Sequence, residues 1–129
     1  MVCVDTSFII SLERREKAAL EKIHQLEVAG DLLYTTAVTV AELYRGAYSS
    51  RERTAALKEI KGLLDRFVIL NLDYDSARIW GHLVQSMRSD SIGDRDLFIA
   101  SISLSNNQAL VTKNKRHFER VAGLRVEDW

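Results

Sequence analysis

Hydrophobic and polar positions follow two rhythms along this chain. Short runs of apolar and β-branched residues occur at Val2–Val4, Leu32–Thr36, Phe67–Leu70, Ala109–Thr112 and Leu124–Val126. They are too short for helices and read as strands buried in a sheet. Between them lie longer stretches with helical spacing. These run from Thr6 or Ser7 to Leu12, Glu16 to Ala29, Ala37 to Tyr48, Arg51 to Asp65, Asp73 to Met87, and Asp94 to Leu104. In the second stretch Leu20, Ile23, His24 and Glu27 keep helical spacing, and Gly30 is a stop. In the fourth, Leu57, Ile60 and Leu64 share a face, and in the fifth Ala77, Trp80, His82, Leu83 and Met87 are available for burial. Ser89–Gly93 reads as a loop, and Lys113–Val121 as a loop with a helical turn.

Strands alternating with helices predict βαβ units with right-handed crossovers. The expected fold is therefore α/β: a three-layer domain, its central parallel sheet covered by helices on both faces. No linker, internal repeat or low-complexity tract divides residues 1–129, so one domain is expected. The chain contains no proline, which leaves glycine, asparagine and turn chemistry to end its helices.

Composition narrows the picture by exclusion. Lysine plus arginine equals aspartate plus glutamate, 18 each, for a formal net charge of zero. No global basic field exists to hold nucleic acid, so any such contact needs local patches or metal ions. Cys3 is the only cysteine, which precludes an intramolecular disulfide and fits a reducing cytoplasm. The N-terminus lacks a charged leader with a long apolar segment, and no apolar run is long enough to span a membrane. A cytoplasmic protein is expected.

The chemistry sits where strands end. Val2–Val4 stops at Asp5, followed by Thr6 and Ser7. Ligands of open parallel sheets bind outside the carboxyl ends of strands. Asp5 could instead cap the next helix, but Thr6 and Ser7 are equally good caps, which leaves Asp5 free. Glu42 is a lone carboxylate on an otherwise apolar helical stretch, where a buried charge needs a partner: it has a metal-binding or catalytic role, or pairs with Arg45 three residues on. Asp94 and Asp96 open the helix Asp94–Leu104, with Asp94 the natural cap and Asp96 the natural ligand. Asn114 follows the strand Ala109–Thr112 as Asp5 follows the first, and is either a fourth site residue or a turn asparagine. Oxygen donors without a His/Cys set of zinc spacing suit Mg²⁺ or Mn²⁺, which bind phosphate oxygens and activate water. Lys113, Lys115, Arg116 and His117 form one basic run and Arg45, Arg51 and Arg53 another. Each is either solvated surface or a hold on an RNA backbone.

The residues Val4-Asp5-Thr6-Ser7, Val40-Ala41-Glu42-Leu43-Tyr44-Arg45-Gly46, Ile92-Gly93 through Ala100, Leu110–Asn114 with Phe118, and the tail Gly123–Trp129 occur together in order. In this the chain resembles the PIN domain and, within it, the VapC-type toxins of prokaryotic toxin–antitoxin pairs. The resemblance spans the chain and implies a metal-dependent endoribonuclease. Asp5, Glu42 and Asp96 match the family's principal acids. It also implies Mg²⁺ or Mn²⁺, an RNA substrate, a homodimer, and a cognate antitoxin whose C-terminal segment covers the site. Thr6 or Ser7 would contact the metal shell or a phosphate, with Arg45, Lys113 and Lys115 on the substrate. The chain departs from the family at two points. The family often has an acid at the position of Asn114, itself a familiar variant, or one shortly before the phenylalanine, where His117 stands; and Asp94 stands where the family often has an uncharged residue.

Two rivals make different predictions. A receiver-like phosphoacceptor domain would use an acid after strand one with Thr112 and Lys113, but it needs an acceptor aspartate at the end of its middle strand. A catalytically inactive binding module of the same fold would be indifferent to divalent cations.

Overall fold

The computed structural model describes all residues, 1–129. Twelve elements follow in the order β1 (Val2–Val4), α1 (Thr6–Glu13), α2 (Lys17–Val28), β2 (Leu33–Thr36), α3 (Ala37–Tyr48), α4 (Arg53–Leu64), β3 (Val68–Leu70), α5 (Tyr74–Ser86), α6 (Asp94–Ser105), β4 (Ala109–Val111), α7 (Lys115–Phe118) and β5 (Val126–Glu127). The strands form one sheet in the order β3-β2-β1-β4-β5, and every pair is parallel. Chain order reverses at β1, which lies between β2 and β4. The carboxyl end of β1 is thus a topological switch point, where an open parallel sheet leaves a crevice. Receiver domains carry the strand order 2-1-3-4-5, so the phosphoacceptor alternative falls with the topology.

Apolar side chains pack on both faces. One cluster joins β1, β2 and β4 residues to α1–α4 through Phe8, Ile9, Ile23, Leu43 and Ile60. The other sets α5, α6 and α7 against the sheet through Leu83, Leu97, Ile99 and Phe118. The central strands β1 and β4 are buried throughout, as their unbroken apolar runs require. Edge strand β3 leaves Val68 and Ile69 exposed because no helix covers it there. No helix is long and apolar enough to cross a membrane.

Several local expectations are corrected. Thr6 is the first residue of α1, and Asp5 caps it. Gly93 is the N-cap residue of α6, which puts Asp94 inside the first turn. Gly93 has φ +92°, in the left-handed region that glycine alone enters without strain. Leu20, Ala77 and His82 are exposed, since α2 turns Ala19, Ile23 and Leu26 inward and α5 buries Ser76 and Leu83. The last strand starts at Val126, whose register is set by pairing with Leu110. Asp73 caps α5 from just outside it, in a reciprocal capping box with Ser76.

Candidate active site

Asp5 leaves β1 at the switch point, its backbone N–H donating to Val111 O of β4 (3.2 Å). The side chain is 6% exposed. Oδ1 accepts from Phe8 N (3.0 Å) and from the Ser7 hydroxyl (2.7 Å), and Oδ2 accepts from the Thr112 hydroxyl (2.5 Å). One carboxylate thus caps α1 with Oδ1 while its Oδ2 faces β4. Thr112 also accepts from Asn114 N (3.0 Å), so its hydroxyl ties Asp5 to the β4–α7 turn.

Glu42 reaches the crevice from α3. Its Oε1 accepts from the Thr6 hydroxyl (2.8 Å), which also lies 3.1 Å from Thr39 Oγ1. Its Oε2 accepts from Arg95 Nη1 of α6 (3.3 Å), so the partner is Arg95 and not Arg45. Asp96 Oδ2 lies 3.0 Å from His117 Nε2, which is also 2.9 Å from Ile92 O. Both neighbours are acceptors, so Nε2 carries the hydrogen. His117 thereby pins the loop before α6 to the first turn of that helix.

Asp5, Thr6, Ser7, Glu42, Asp96 and Asn114 line one crevice of about 280 Å³, floored by Ile10, Ile99 and Phe118. Glu42 and Asp96 also line an adjoining crevice of about 550 Å³ with Ile92, Gly93, Asp94 and Arg95. The basic candidates lie outside both. Lys113 pairs with Glu16 (3.4 Å) and sits 5.6 Å over the Trp129 ring, Lys115 reaches Glu119 (4.0 Å), and Arg45 is exposed on α3.

Charge accumulates in this crevice. Burial raises the Asp5 pKa above its ordinary value. The hydrogen bonds from Thr112, Ser7 and Phe8 N oppose the rise, and the Asp96 charge adds to it. Asp96 is also raised, first by burial; His117 and Arg95 oppose the rise and the Glu42 charge adds to it. Carboxylates that are desolvated and repel one another gain from a cation. The donors are all oxygens, suited to a hard divalent ion and not to zinc. No three acidic, histidine or cysteine side chains close around one point, because His117 holds Asp96 while Thr6 and Arg95 hold Glu42. Such ions commonly keep several waters and take one or two carboxylates, so the donor set fits without a closed cage.

Thr39 and Arg95 are not singled out by the sequence, and Thr112 and His117 enter it only in other roles, Thr112 in the phosphoacceptor alternative and His117 in the basic run. Thr112 carried the one available signal, a hydroxyl at the end of a buried strand like the residues after β1. The contacts of Arg95 and His117 join separate helices, and no local spacing encodes them.

Comparison with known proteins assigns this geometry to a group. Residues 2–124 match the family described as PIN domain. Ribonuclease VapC1 of Haemophilus influenzae (strain R2866) is 32% identical over 129 residues, covering 98% of this chain and 96% of that protein. The tRNA(fMet)-specific endonuclease VapC of Shigella flexneri is 30% identical over 128 residues, with the same coverage. Among solved structures, VapBC-1 from nontypeable Haemophilus influenzae superposes with a TM-score of 0.87 at 30% identity, over 100% of this chain and 98% of that one. DNA-bound VapBC from Salmonella typhimurium gives a TM-score of 0.89 at 26% identity, over 100% of this chain and 99% of that one.

Proposed function

The chain belongs to the PIN domain family, and from that premise we propose that it is a metal-dependent endoribonuclease, the toxin of a type II toxin–antitoxin pair. The observation that carries the reading is the convergence of Asp5, Glu42 and Asp96, from three separate elements, on one crevice at the sheet's switch point. Relatives about as long as this chain are named ribonucleases, and matched structures are of VapBC pairs. RNA is accordingly the substrate and a cognate antitoxin the partner. A homodimer is proposed with it, using Tyr44 and Tyr48 on α3, and the cytoplasm as its location.

In this reading Asp5 and Asp96 would hold a divalent cation, Mg²⁺ or Mn²⁺, with Glu42 as a further ligand or as the orienter of the attacking water. Bound there, the ion supplies charge neutralisation at the phosphate and a lowered pKa for water. The chain supplies position. Thr112, Ser7 and Phe8 N fix both oxygens of Asp5, so its orientation is set before substrate arrives. Thr6 holds Glu42 Oε1, leaving that side chain to orient the attacking water. Ser7 and Asn114 stand at the crevice wall within reach of a phosphate oxygen or a bound water. Water attacks the phosphorus in line and gives up a proton; as the new P–O bond forms, the bond to the 3′ oxygen breaks and that oxygen takes up a proton, leaving a 5′-phosphate and a 3′-hydroxyl.

The test is cleavage of an RNA pool, with initiator transfer RNA included, in Mg²⁺ or Mn²⁺ and in chelator, beside the Asp96→Ala protein. Metal-dependent cutting lost in the variant supports the nuclease. A wild-type protein that cuts nothing and binds neither ion leaves the inactive module.

A further inference from the structure

We propose that Arg95 receives the RNA backbone phosphate at the mouth of the acidic crevice; this rests on the nuclease reading above. The two crevices that share Glu42 and Asp96 contain a single cation among their lining residues, Arg95. An RNA phosphate approaching them meets Asp5, Glu42, Asp94 and Asp96, and a chain of zero net charge offers no distant field to offset that repulsion. Lys113 and Lys115 line neither crevice. The cation that meets the phosphate is therefore on α6.

The local geometry suits that task. Arg95 lies in the first turn of α6, between Asp94 and Asp96. His117 anchors this turn by bridging Ile92 O and Asp96 Oδ2, which fixes where the arginine emerges. Its side chain is 64% exposed and makes one ion pair, 3.3 Å to Glu42. A pair so exposed is weak and easily exchanged. A phosphate offers the guanidinium two parallel hydrogen bonds, a geometry that a lysine cannot match. Arg95 thus rests on Glu42 without substrate and turns to the phosphate when RNA arrives.

The experiment compares wild type with Arg95→Met and Arg95→Lys. Steady-state cleavage of labelled initiator transfer RNA is followed in Mn²⁺ at several salt concentrations. Binding of the same RNA is followed by fluorescence anisotropy in chelator. For Arg95→Met, KM rises roughly ten-fold while kcat stays within about three-fold. The log–log salt dependence of binding becomes shallower by about 0.7 to 0.9, the loss of one phosphate contact. Arg95→Lys keeps the salt slope but recovers only part of the affinity. An Arg95→Met protein with unchanged KM and salt slope overturns the inference while leaving the nuclease reading intact. One that cleaves faster overturns it too, since Arg95 would then be a plug on Glu42. A wild-type protein that neither cuts nor binds RNA brings down the functional reading, and this inference with it.

Discussion

Asp5 carries three duties on one carboxylate: the cap of α1, the acceptor for Thr112, and a proposed cation ligand. Substitutions at and beside it separate them. Asn at position 5 keeps an oxygen for Phe8 N and is as good a cap as Asp. Asp5→Asn should fold, and should lose cleavage by about 10²-fold or more; a circular dichroism melt beside a cleavage assay reads both. Thr112→Val keeps the shape and removes a hydroxyl that donates to Asp5 and accepts from Asn114 N. It should cost about 1–3 kcal/mol in urea unfolding and roughly 10-fold or more in metal affinity or rate. A Thr112→Val protein with wild-type rate would show that Asp5 needs no such support. Asp5 was legible as a candidate because a buried strand ending in a carboxylate is unusual. Its capping role was not legible, because propensity ranks Asp, Thr and Ser nearly alike and the choice depends on where β1 releases the chain.

At the scale of elements, β1 shows what periodicity can and cannot convey. Its three apolar residues placed it in the interior, and the structure makes it the middle strand, with parallel neighbours on both sides. Length and periodicity also located nearly every helix, because each long helix turns an apolar stripe toward one of the two core clusters. They could not distinguish the covered strands from edge strand β3, whose Val68 and Ile69 are as apolar in sequence and exposed in fact. Coverage is decided by which helices cross over, and that is tertiary information. Burial of β1 has a chemical consequence at Cys3. The thiol is fully buried, and desolvation pushes its pKa up from 9.0 to about 12. Cys3 should therefore resist alkylation in the native protein at pH 8 and react fully in denaturant, as mass spectrometry would count. The folded pKa lies above the unfolded one, so the contribution to stability is constant below about pH 9. It is lost above that, as the unfolded thiol ionises and the folded one does not, by at most about 1.4 kcal/mol per pH unit. Cys3→Ala should flatten that alkaline limb of the unfolding curve; an unchanged limb would assign it to other groups.

For the whole molecule, the sheet order decides where charge is stored. β1 and β4 release the chain side by side, while α3 and α6 bring Glu42 and Asp96 from opposite core clusters. Three acids thus meet where two halves of the core join. The sequence could nominate the acids, but only the crossover connections make them neighbours, and the partners His117 and Arg95 appear with that meeting. A net charge of zero hides this local imbalance. Asp5 and Asp96 both have pKa values raised from 3.8, so each favours folding more in acid than at neutral pH, and at neutral pH the crevice holds unrelieved repulsion. Two consequences can be read from one set of melting curves at pH 7. In chelator, Asp96→Asn should melt above wild type, because it removes a desolvated charge while its amide oxygen still accepts from His117. With Mn²⁺ added, wild type should gain stability, about 2.7 kcal/mol at a hundred-fold excess over Kd, and the variant far less. If Asp96→Asn instead melts lower in chelator, the His117 and Arg95 contacts outweigh the repulsion, and the crevice is a satisfied network with little need of a cation. If both proteins gain equally from Mn²⁺, the ion binds away from Asp96. The combination of higher stability without metal and a lost response to it would place the cost of folding and the means of function in the same carboxylate.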